Sequence, residues 1–108
     1  MNIKFDGYTF NAIQYKNEIF VLIDDIRNFI DKNMSFNTIL GNAIYIYHNY
    51  RTINIKYYLY THNDNYYINW NTIIILAMKF NTEKYIKYKN ILETQLNYSK
   101  NGEDIMLR

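Results

Sequence analysis

The spacing of apolar residues changes period along this chain, and each change limits what it can fold into. Tyr8, Phe10, Ala12 and Ile13 read as extended, and Ile19, Phe20, Val21, Leu22 and Ile23 follow the polar Lys16-Asn17-Glu18. Two apolar runs split by a polar break signal a hairpin, with Asp6-Gly7 a second turn just upstream. Asp24-Asp25 offer a helix N-cap, Ile26, Phe29 and Ile30 share one helix face, and Asp31-Lys32-Asn33 ends it. A second helix starts near Ser35. Phe36, Ile39, Leu40, Ala43, Ile44 and Tyr47 then recur at the three- and four-residue steps of an amphipathic stripe. Ile39, Leu40, Ala43 and Ile44 are expected to be buried together, and Leu40→Ala to cost about 2–5 kcal/mol.

From Thr52 the period falls to two. Ile53, Ile55, Tyr57 and Leu59 share one face, and Asn54, Lys56, Tyr58 and Tyr60 the other. Thr61-His62-Asn63-Asp64-Asn65 is a polar turn, and Tyr66-Tyr67-Ile68 returns as the partner strand. Residues 72–80 are apolar nearly all round; lying between a capping Asn69 or Asn71 and Lys79, they predict a short buried helix. A fourth helix restarts at Asn81-Thr82 and runs to about Leu96, with Tyr85, Tyr88, Leu92 and Leu96 inward. The order predicts a single compact α+β domain over residues 1–96, two β-hairpins alternating with helix pairs, and a polar tail over 97–108.

Composition removes several functions. The absence of Cys excludes disulfides, zinc ribbons and thiol nucleophiles, and His48 and His62 are too few for a multi-histidine metal site. With 49% hydrophobic and 19% aromatic residues, the chain has ample apolar surface to fold. Its longest apolar run, 73–78, is far shorter than the roughly 18 residues of a membrane span. The N-terminal Met1-Asn2-Ile3-Lys4-Phe5-Asp6 is no signal peptide, so an intracellular, membrane-free protein is expected. Ile, Asn, Tyr and Lys, which A/T-only codons can encode, supply 57 of the 108 residues. Such a bias suggests a low-GC genome, and it means that abundant Tyr and Lys are not by themselves a functional signal.

No acid pair, serine or glycine cluster has a catalytic or phosphate-binding spacing, so a non-enzyme without cofactor or metal is expected. Asp24-Asp25 read as a cap rather than an acid/base pair. Lys79, Lys84, Lys87 and Lys89 fall within eleven residues, opposed by Glu83. Arg51 and Lys56 flank the second hairpin. These six could neutralise phosphates of double-stranded DNA, although a Lys-rich outer face is ordinary for an exposed helix. A different reading takes Tyr57, Tyr58, Tyr60, Tyr66 and Tyr67 as an interface for a protein partner or a homodimer, since Tyr gives large contact area at low entropic cost.

Two segments carry a family resemblance. Phe5-Asp6-Gly7 precedes an extended stretch, and Asn17-Glu18-Ile19-Phe20-Val21 leads to Asp25-Ile26 and a helix. Later, Tyr67-Ile68-Asn69 precedes an apolar helix with Ile73 and Leu76, then Lys79 and a helix bearing Tyr88. Together they resemble the Bro-N domain, the N-terminal domain of baculovirus repeated-ORF proteins and phage antirepressors. Thr72, Tyr85 and Ile91 depart from the residues usual there. The resemblance covers about half the chain and implies a viral or phage regulatory domain that binds double-stranded DNA without catalysis. The alternative is an inhibitor or adaptor that binds a host protein complex. Asn69-Trp70-Asn71 also resembles the helix start of Bcl-2-like proteins, but the period-two stretch over 52–68 is foreign to that all-helical fold.

Overall fold

The structure is a computed structural model and describes residues 1–50, 56–94 and 105–107. Three strands open the chain: β1 (Asn2–Phe5), β2 (Tyr8–Tyr15) and β3 (Glu18–Leu22). Both turns between them lie where the sequence placed them. Asp6 and Gly7 have φ of 47° and 83°, and Lys16 and Asn17 have 52° and 63°. Two consecutive left-handed residues match the right-handed twist of a tight hairpin. β3 runs directly into α1 (Ile23–Asp31), so Leu22 holds the N-cap position and makes no side-chain cap bond. The capping role expected of Asp24-Asp25 is therefore corrected: both lie inside the first turn. There they still favour the positive helix end. Asp24 pairs with Arg27 at 2.8 Å, and Asp25 Oδ2 accepts from Asn11 N and Nδ2 at 2.7 and 2.9 Å. Arg27 Nη1 also donates to the carbonyls of Lys32 and Met34, fixing the bend into the next helix.

That helix, α2 (Phe36–Asn49), is capped by Ser35, whose hydroxyl accepts from Thr38 N at 3.1 Å. Its buried residues are Ile39, Ala43 and Ile46, while Leu40 is half-buried and Ile44 is 36% exposed. The expected core face of Ile39, Leu40, Ala43 and Ile44 is thus rotated toward Ile46. The apolar stripe is wider than the face the neighbouring helices cover, and Ile46 takes the place that sequence spacing assigned to Ile44. Ile44→Ala is accordingly expected to cost less than about 1 kcal/mol in urea unfolding. A larger loss would place Ile44 in the core. Leu40→Ala falls toward the low end of its earlier range for the same reason.

β4 (Leu59–His62) and β5 (Asn65–Asn69) form the second hairpin, turning at Asn63 and Asp64, both left-handed. Ile53, Ile55 and Arg51 lie outside the described residues. The hairpins do not stay separate: β5 pairs antiparallel with β3 through Val21↔Ile68. The result is a five-stranded antiparallel sheet in the order β4-β5-β3-β2-β1. At its far edge β6 (Ile105–Leu107), a strand not expected in the stretch read as a polar tail, pairs parallel with β1. α3 (Trp70–Phe80) and α4 (Thr82–Thr94) complete the helices. Asn81 links them: its Oδ1 accepts from Lys84 N as the N-cap of α4, and its Nδ2 donates to the Ile30 carbonyl.

Strand alternation divides the sheet into two faces. Ile3, Phe10, Ala12, Ile19, Val21 and Ile68 face the helices and join Ile26, Phe29, Ile30, Ile39, Trp70, Ile73, Leu76 and Tyr88 in one core. Burying such side chains stabilises the domain by about 1.5–3 kcal/mol each before entropy is counted. Ile13, Tyr15, Glu18, Phe20, Leu22, Tyr60, His62 and Tyr67 occupy the opposite face by register.

Candidate binding face of the sheet

The face away from the helices carries a second aromatic cluster. Its centre is Phe20, which is only 4% exposed yet stands apart from the main core. β3 presents Ile19, Phe20 and Val21 in succession, so alternation must send one large apolar ring outward. Tyr15, Tyr58 and Tyr60 cover it, with centroids 6.5, 6.3 and 5.7 Å away. Tyr60 stacks on Tyr15 at 5.1 Å and on His62 at 6.2 Å, both with planes 15° apart. β4 and β2 are separated by two intervening strands, so this stacking means that the twisted sheet brings the two tyrosines together above Phe20.

Two clefts open beside the cluster. One, of about 280 Å³, is lined by Tyr15, Lys16, Glu18, Phe20, Tyr58, Leu59 and Tyr60. The other, of about 420 Å³, is lined by Met1, Ala12, Ile13, Gln14, Tyr15, Tyr60 and His62. Tyr15 and Tyr58 remain 43% and 36% exposed, so their rings bury Phe20 with one side and meet solvent with the other.

A single buried amide fixes this arrangement. Asn69 caps α3 by position, but its side chain makes no backbone cap bond. Its Oδ1 instead accepts from Tyr58 N at 2.9 Å and Thr72 Oγ1 at 2.7 Å. Its Nδ2 donates to Glu18 Oε1 and to the Lys56 carbonyl, both at 2.8 Å. The Tyr58 amide can only donate, which sets the orientation of the Asn69 amide group. Asn69 thereby holds two residues of the smaller cleft, Tyr58 and Glu18.

The five interface tyrosines divide between the faces. Tyr58, Tyr60 and Tyr67 belong to the outer face, where Tyr67 meets His62 edge-on at 6.4 Å. Tyr57 and Tyr66 pack against the helix-side core, and Tyr66 lies 6.4 Å from Phe36. Sequence reasoning missed Tyr15, Phe20 and Glu18. The available signal was the apolar triplet after a tight turn, which must put a large apolar side chain on each side of the sheet.

The basic residues are dispersed. Lys79 Nζ donates to Asn42 Oδ1 at 2.7 Å across the α2–α3 contact. Lys84 is half-buried; its Nζ donates to Tyr8 Oη and the Phe29 carbonyl and lies 4.7 and 4.9 Å from the Tyr8 and Phe29 ring centroids. Lys84, expected at a DNA phosphate, thus has its ammonium turned toward Tyr8 and Phe29. Lys87 and Lys89 are exposed on α4. Lys87 is held above the ordinary lysine value, first by its hydrogen bond with Tyr88 and then by electrostatic interaction with Tyr88, Asp6 and Tyr8. Asp6, which accepts from the Tyr88 hydroxyl, brings a carboxylate to that side. Lys56 is exposed before β4, with its carbonyl at the start of α3, whereas Lys79 stands in the last turn. Arg51 lies outside the described residues.

Lys84→Met tests the interior role. Losing two bonds from a half-buried ammonium is expected to cost about 1–3 kcal/mol in urea unfolding. A cost under about 0.5 kcal/mol would indicate a solvated side chain.

Among the described residues no group of three acidic or histidine side chains is placed to hold a metal ion. No described helix is long and apolar enough to cross a membrane. No family model, curated protein or solved structure matches the chain.

Proposed function

We propose that this chain is a non-enzymatic regulatory module of Bro-N-like type that acts by binding another protein through the outer face of its sheet. The observation that carries the reading is Phe20, buried on the face opposite the helices by tyrosines whose far sides are open to solvent. Large, rigid, amphipathic rings around a desolvated centre are the usual makings of an interface hot spot. Asn17-Glu18-Ile19-Phe20-Val21, one of the two segments resembling Bro-N, supplies the centre and one wall of the smaller cleft. A viral or phage setting, with a host complex as the target, accords with that resemblance and with the A/T-biased composition.

Double-stranded DNA is the rival ligand. Among the described residues its proposed contacts reduce to Lys87, Lys89, Lys56 and the Asn42-bonded Lys79, in a chain with a net charge of only +2. Phosphate-driven binding needs several cations on one surface.

The test is affinity capture from a nuclease-treated lysate of the cells that make the protein. The wild-type chain is compared with Tyr15→Ala/Tyr60→Ala, after circular dichroism confirms that the variant is folded. The expected result is a protein retained by the wild type and lost by the variant. Identical capture by both, or loss of every partner on nuclease treatment, would overturn the proposal.

A further inference from the structure

We propose that the cleft formed by Tyr15, Phe20, Tyr58 and Tyr60 binds an alkylated ammonium group, such as a methylated lysine side chain of a partner. The assignment rests on the reading of the outer face as a protein-docking surface and specifies what that surface grips. Tyr15, Tyr58 and Tyr60 border one opening, with the buried Phe20 ring as its floor. Relative to Phe20, Tyr15, Tyr58 and Tyr60 are inclined by 62°, 49° and 48°. The inclined Tyr58 ring sets a concave wall against the Tyr15–Tyr60 stack, and the exposed surfaces of Tyr15 and Tyr58 offer aromatic faces to a cation.

One further feature gives the cleft its preference for positive charge. Glu18 stands in its wall, with Oε1 held by Asn69 Nδ2, so a carboxylate is fixed beside the rings. Lys16, in the same wall, places its Nζ 5.3 Å from the Tyr15 ring centroid. A cationic guest competes with this ammonium for the Tyr15 face, and the exposed Lys16 side chain is long enough to swing aside.

The shape also discriminates between guests. Tyr15 and Tyr60 stack on each other, which leaves no slot between them for a planar base. The bond from Asn69 occupies one Glu18 oxygen, which disfavours the two-pronged grip of a guanidinium. A bare ammonium is strongly hydrated and loses that water on entering a ring-lined site. Alkyl groups on nitrogen spread the charge over an apolar surface and lessen this cost.

The experiment is an NMR titration of the full chain with choline and, separately, with its uncharged isostere 3,3-dimethylbutan-1-ol. Choline is expected to shift the amides of Tyr15, Phe20, Tyr58 and Tyr60, and the isostere to bind about tenfold more weakly. Glu18→Gln, which retains an acceptor for Asn69, is expected to weaken choline severalfold without changing the fold. Equal binding of the two probes, or choline shifts elsewhere only, would overturn the assignment. If choline ignores the cleft while Tyr15→Ala/Tyr60→Ala still abolishes capture, the ammonium assignment fails and the docking face stands. If choline binds the cleft while capture is unchanged, the ammonium site stands and the docking reading fails.

Discussion

Phe29→Ala is expected to lower the unfolding free energy by about 3–5 kcal/mol, the range for removing a fully buried aromatic ring. Phe29 joins the first strands to both helix pairs. Tyr8 and Phe10 meet its ring edge-to-face at 5.0 and 5.6 Å, Tyr88 of α4 lies at 6.1 Å, and the Lys84 ammonium sits over it. These contacts come from two distant elements, β2 and α4, so no single neighbour can move in to fill the void. Domains of this size are stable by roughly 5–15 kcal/mol, so the variant loses a large share of its stability. Phe29→Leu keeps most of the volume and is expected to lose less than half as much. Urea midpoints of the two variants check this; a loss under about 1 kcal/mol for Phe29→Ala would contradict the packing.

Asn69→Ala is expected to cost about 2–4 kcal/mol, because it strips partners from several groups at once. The Thr72 hydroxyl is buried beside it, and the Tyr58 amide and Lys56 carbonyl are part-buried. A buried polar group left without its partner costs more than the same bond contributed. The substitution should also release Tyr58 and Glu18, so it should weaken ligand binding at the cleft beyond what its effect on stability explains. Urea unfolding measures the first effect and the choline titration the second. A fully folded Asn69→Ala variant with unchanged choline affinity would show that the amide does not position the cleft.

Much of the fold was legible because local chemistry and tertiary packing agreed. Asp6-Gly7, Lys16-Asn17 and Asn63-Asp64 form turns as their neighbours implied, and Ser35 and Asn81 cap helices by side-chain bonds. Legibility ended where apolar residues outnumber the positions the core can cover. The stripe on α2 spans a broad arc, and only the packing of α1 and α3 selects Ile39, Ala43 and Ile46 from it. The same surplus hid the candidate site, since Ile19-Phe20-Val21 puts large side chains on both sheet faces. Joining the two hairpins through β3 and β5 is a long-range pairing that no local pattern encodes. Lys84 illustrates a further limit. Its sequence neighbours describe a solvated helix face, but Tyr8 and Phe29, distant in the chain, draw its ammonium inward.

Recognition through the outer aromatic face, rather than through the lysines of α4, is tested most directly by fluorescence anisotropy with duplex DNA. The wild-type chain, Tyr15→Ala/Tyr60→Ala and Lys87→Ala/Lys89→Ala would be compared at about 50 mM and about 200 mM salt. The expected result is no specific binding by the wild type, and no more than a weak signal at low salt common to all three. Tight binding that falls steeply with salt, survives the tyrosine substitutions and is lost with Lys87 and Lys89 would contradict it.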